Sequence, residues 1–71
     1  MLGIGEKFVI EADGDFLIVP PYAWTMWNAA WSRSVYDAIR YTRRSTAKKV
    51  ARIVGGRVMI FNELTGDIRN G

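Results

Sequence analysis

The dipeptide Asp13-Gly14, set between Lys7-Phe-Val-Ile-Glu-Ala12 and Asp15-Phe-Leu-Ile-Val19, constrains this chain more than any other feature. A two-residue connection between β-prone runs adopts a type I′ turn, which requires positive φ at both central residues, and Asp-Gly meets that requirement at little steric cost. The spacing predicts a hairpin over 7–19 with a set register: Ile10 opposite Leu17 and Phe8 opposite Val19 on one face, with Val9, Phe16 and Ile18 on the other. Both faces are partly apolar. One is expected to meet a helix, while the other needs the tryptophan-rich segment, a partner chain or tolerance of solvent. As chemistry, Asp13-Gly-Asp15 lacks the remaining ligands of a calcium loop, so the acids read as turn residues.

The stretch Ser34 to Gly56 supplies the helix. At about 100° per residue, Val35, Ala38, Ile39, Val50 and Ile53 share one sector, with Thr42 and Thr46 in the middle turns. Arg40, Arg44, Lys48 and Arg52 recur every fourth residue on the other side, with Ala47 and Ala51 near them. Ser34 with Asp37 fits a reciprocal N-terminal cap, and Gly55-Gly56 fits a left-handed C-terminal cap. This pattern predicts an amphipathic helix over 35–54. A second reading stays open: Val50–Val54 and Arg57–Phe61 around Gly55-Gly56 also fit a hairpin, with the helix ending near Ser45. The middle turns are poor in strong apolar anchors, which keeps both readings alive.

Charge is local. Ten Lys and Arg against seven Asp and Glu give a net charge of only +3 over 71 residues. Yet Arg33, Arg40, Arg43, Arg44, Lys48, Lys49, Arg52 and Arg57 face a single acid, Asp37, between positions 33 and 57, whereas residues 1–32 carry Lys7 against four acids. Such asymmetry is the footprint of a nucleic-acid or anionic-surface binder, although a charge run on a helix can also be a solvated face.

With neither cysteine nor histidine in the chain, disulfides, thiolate zinc sites, Ser-His-Asp triads and histidine general bases are excluded. Absence of cysteine favours a cytoplasmic location. The acids are spread over separate elements, and Gly3-Ile-Gly5 lacks the third glycine, strand and helix of a dinucleotide site. No catalytic residues, cofactor or metal are expected, and the chain is not expected to be an enzyme.

Pro20-Pro21 ends the second strand, and a tryptophan-rich segment over 22–31 follows, carrying Trp24, Trp27 and Trp31. It reads as a short strand and turn, its indoles serving as core or lid or, alternatively, as a protein interface. Residues Phe16 to Ser32 are uncharged, but these seventeen positions fall short of the roughly 20 apolar residues of a transmembrane helix and are broken by prolines and Asn28. Acids at positions 6, 11, 13 and 15 argue against a signal peptide. Arg57–Phe61 and Asp67–Arg69 read as C-terminal strands joined by a turn over Asn62–Gly66.

Ser32-Arg-Ser-Val-Tyr-Asp-Ala-Ile-Arg40 together with Ile53-Val-Gly-Gly-Arg-Val-Met-Ile60 resembles in part the recognition helix and wing of small excisionase-type helix-turn-helix proteins. The N-terminal hairpin, and the short span between Trp27 and Ser34, depart from that family, and the family is not assigned. The sequence therefore points to one small α+β domain over 1–71, with antiparallel hairpins on one long amphipathic helix. Its expected role is a basic nucleic-acid-binding or regulatory module, using Arg40, Arg44, Lys48 and Arg52 on phosphates. The alternative is a protein-binding modulator or homodimer using the tryptophans and a sheet edge.

Overall fold

A computed structural model describes residues 2–19 and 29–71. Among them the elements run β1 (Glu6–Ala12), β2 (Asp15–Val19), β3 (Ala30–Ser32), a 3-10 turn (Val35–Asp37), α1 (Arg44–Val54), β4 (Arg57–Asn62) and β5 (Ile68–Asn70). The strands form one antiparallel sheet in the order β3-β2-β1-β4-β5. The fold is α+β.

The hairpin closes as its turn chemistry dictates. Asp13 and Gly14 have φ of 52° and 87°, and the pairs Glu11–Phe16 and Ala12–Asp15 follow. The centre of the sheet, however, is the pairing of β1 with β4, continuous from Glu6–Asn62 to Glu11–Arg57. Alternation along these two strands makes two apolar faces. Phe8, Ile10, Val58 and Ile60 lie on the face that α1 covers through Ala47, Val50, Ala51 and Val54. Val9, Met59 and Phe61 lie on the opposite face, covered by Val35 and Ala38 beside Phe16.

The chain moves from one face to the other through the hairpin itself. Past its turn, β1 and β2 separate, so the expected pairs Ile10–Leu17 and Phe8–Val19 are not formed: the Phe8 N–H and carbonyl exchange 2.8 Å hydrogen bonds with Tyr41, and the Leu17 carbonyl accepts the Ile39 N–H at 2.9 Å. Residues 39–41 thus satisfy the strand groups that a longer β1–β2 ladder would have used. Ile39 and Tyr41 then pack on the α1 side while Val35 and Ala38 stay on the other. Burial pushes the Tyr41 phenol pKa up, and its hydroxyl lies buried without a hydrogen-bond partner among the described residues.

This route corrects the helix expected over 35–54. α1 has 11 residues, Arg44–Val54, and only Val35–Asp37 of the earlier part turns, as a 3-10 element. Backbone pairing of Ile39 and Tyr41 with the sheet outweighs the helical periodicity there, because an amphipathic stripe interrupted by Thr42 and Thr46 offers little to bury. Thr46 is exposed. Ser34 makes no side-chain cap; the Ser32 hydroxyl instead donates to Asp37 Oδ2 at 3.3 Å. The stretch Ser32–Arg40 is therefore not a recognition helix. At the other end, Gly55 takes the left-handed conformation, φ 77°, and the Gly56 N–H donates to the Ala51 carbonyl at 2.8 Å, a helix cap rather than a hairpin turn. Gly56 also passes so close to β1 that a Cβ there would stand 2.8 Å from Ile10 Cγ2 and 3.0 Å from the Glu11 carbonyl oxygen.

β4 and β5 match the expected C-terminal strands to within one residue. Their connection is an Asn62-centred turn, with Asn62 Oδ1 accepting the Leu64 and Thr65 amides at 2.9 and 3.2 Å. The strand expected at the start of the tryptophan-rich segment lies outside the described residues; β3, which the sequence did not suggest, stands at the segment's end, where Trp31 pairs with Leu17. Trp24 and Trp27 lie outside the described residues. No helix among the described residues is long and apolar enough to cross a membrane.

Candidate nucleic-acid interface

The sequence Arg44-Ser-Thr-Ala-Lys-Lys-Val-Ala-Arg-Ile-Val54 contains no acid, so every charge that α1 itself carries is positive. Burial of Ala47, Val50, Ala51 and Val54 sets the rotation of the helix. Opposite them stand Ser45, Lys48, Lys49 and Arg52, all exposed, with exposed Arg44 at the border of the buried stripe. Ala47 and Ala51 were expected beside the basic residues, permitting close approach of a backbone; they belong instead to the core.

Arg44 is positioned by the sheet. Its guanidinium carbon lies 4.9 Å from the centroid of the Phe8 ring, a cation–π contact on a side chain that stays exposed. Lys48 and Arg52 follow one and two turns later. None of the three takes part in the ion pairs of the described residues, which join Arg40 to Glu63, Arg57 to Glu11 and Arg69 to Glu6. The helix begins with Arg43 as N-cap, without a side-chain cap or an acid in the first turn. Cations there oppose the helix dipole, so an anion at this end relieves repulsion as well as gaining attraction.

The structure separates Arg40 from the other three expected phosphate contacts. Arg40 sits in the extended segment before α1, its guanidinium 5.4 Å from the Phe61 ring centroid. Two of its nitrogens donate to the Ala38 and Tyr36 carbonyls at 3.0 and 3.2 Å. The third, Nε, lies against the Glu63 carboxylate as an ion pair without the alignment of a hydrogen bond. With every face of the guanidinium engaged, Arg40 ties the 3-10 turn to the β4–β5 connection. Helical spacing suggested Arg40 as the first member of the stripe; the partners that remove it, Phe61 and Glu63, are more than 20 positions away in sequence and leave no local signal.

Trp31, read as core or lid or, alternatively, as part of a protein interface, is half-buried against the cluster of Ile10 and Leu17 on the α1 side. A shallow groove of about 400 Å³ lies between the hairpin turn and the end of α1, lined by Glu11, Ala12, Asp13, Gly55, Gly56 and Arg57. Two carboxylates and the negative end of the helix dipole make it a poor place for an anion. Among the described residues, no three acidic, cysteine or histidine side chains are grouped to hold a metal ion. Elsewhere, Arg69 donates to both Glu6 oxygens at 2.8 and 2.9 Å and, with the Gly3 amide, holds the Glu6 carboxyl below the usual carboxylate range.

No protein-family model matches this chain, and no curated protein or solved structure matches it either.

Proposed function

We propose that this protein is a small nucleic-acid-binding or regulatory module that acts without catalysis, through the exposed face of α1. The observation that supports the reading is the acid-free helix on which Arg44, Lys48 and Arg52 stand exposed and outside the ion pairs of the described residues. A polyanion is the partner that compensates such a face, and successive cations four residues apart suit successive phosphates along one backbone. Contacts of this kind position the protein without reading bases, so binding is expected to be largely indifferent to sequence.

Titration of a random-sequence DNA duplex across a range of salt concentrations tests this directly. Release of counterions from three phosphates gives a slope of about −2.7 in log affinity against log salt, steepening if Arg43 and Lys49 also contribute. A salt-independent affinity, or none at low salt, would remove the proposal.

A further inference from the structure

We infer that the free edge of β5 pairs with β5 of a second copy of this chain, in an antiparallel register centred on Ile68. The hydrogen-bond pattern leaves that edge available. Asn62 N–H donates to the Asp67 carbonyl and Gly71 N–H to the Val58 carbonyl, so alternate residues 67, 69 and 71 turn their backbone groups towards β4. Ile68 and Asn70 consequently turn theirs outward, at the last strand of the sheet as described. Centring on Ile68 lets its N–H and carbonyl exchange bonds with the same groups of the second copy. The Asn70 N–H of each chain then meets the Gly66 carbonyl of the other.

Charge and surface select this register. With Ile68 on the two-fold axis, Asp67 of each copy stands opposite Arg69 of the other, whose Nη2 is held by Glu6 of its own chain, so both flanking pairs set a carboxylate beside a guanidinium. Centring on Arg69 instead would oppose like charges. On the face shared with Phe61, Ile68 is 40% exposed and Tyr36 63% exposed. The two belong to one patch: Tyr36 stands edge-on to the Phe61 ring, its hydroxyl lies 2.8 Å from where a Gly66 Cβ would be, and Ile68 is the cross-strand partner of Phe61. Pairing about the axis brings two copies of this patch together. The axis is perpendicular to the sheet, so both α1 helices lie on the same side and the dimer doubles the cationic face.

Sedimentation equilibrium over micromolar to millimolar protein tests the pairing with two charge variants. Asp67→Arg alone and Arg69→Asp alone each place like charges across both flanking positions and should weaken dimerisation by about tenfold or more. Mixed in equal amounts, the two variants again join opposite charges at both positions, and the dimer should return. Ile68→Pro, which removes an outward amide and leaves the β4 ladder whole, should be monomeric with an unchanged far-ultraviolet spectrum. A wild-type protein that stays monomeric throughout, a dimer that survives both single substitutions, or a mixture that fails to recover would overturn the inference. The reading of α1 as an anion-binding face stands or falls separately, since its salt slope is measured on either a monomer or a dimer.

Discussion

Phe61→Ala should remove a large share of the stability of this domain. Phe61 is fully buried and is the point at which three parts of the chain meet: the Tyr36 ring stands edge-on at 5.3 Å, the Arg40 guanidinium lies 5.4 Å from its centroid, and Val9, Val35 and Met59 share its cluster. Truncating a buried phenylalanine costs about 3–5 kcal/mol, whereas a domain of this length has roughly 4–11 kcal/mol in total. Urea denaturation should show about half of the stability gone, and the melting midpoint lowered by about 15 °C or more. Truncation of Tyr36, which is largely exposed, should cost only about 1 kcal/mol through the lost ring pair. Equal effects of the two changes would mean that the face opposite α1 is not a true core.

The second large effect concerns binding. Replacing Arg44, Lys48 and Arg52 together by alanine should weaken association with duplex DNA by about a hundredfold at low salt and flatten the salt slope by about 2.7. Because these side chains are exposed and Arg44 alone touches the core, the variant should keep its fold and lose little stability. Arg40→Ala should behave in the opposite way. It removes the ties to Tyr36, Ala38, Phe61 and Glu63, so stability should fall while the slope stays that of the wild type. A loss of slope in Arg40→Ala, matched by no loss in the triple variant, would place the anion on the other side of the sheet.

The sequence carried the parts of this fold that depend on neighbours along the chain. Asp13-Gly14 dictates the turn and the two strand pairs beside it, though not the pairing expected further on, and Gly55 ends α1 because a left-handed residue after a cationic last turn is a local matter. The segment from Val35 to Arg43 is different. Its apolar residues obey a helical period, but Ile39 and Tyr41 find backbone partners in Leu17 and Phe8, more than 20 positions earlier. No pattern within the segment encodes that pairing; the weak middle of the predicted helix, at Thr42 and Thr46, was the only local sign that it would not hold. The candidate site was legible in the same partial way. Arg44, Lys48 and Arg52 keep their helical spacing because they lie within α1, whereas Arg40 precedes the helix and turns to Phe61 and Glu63. The second face of the sheet, expected to need the tryptophan-rich segment, a partner chain or tolerance of solvent, is covered by Val35 and Ala38.

In the proposed function, a polyanion meets this protein on the solvent face of α1. Amide chemical-shift mapping during titration with a short random-sequence DNA duplex tests it residue by residue. Perturbations should concentrate from Arg43 to Arg52 and at Phe8 beneath Arg44, fading together as salt is raised. Perturbations centred on the hairpin turn or β5, or a spectrum unchanged at low salt, would contradict it.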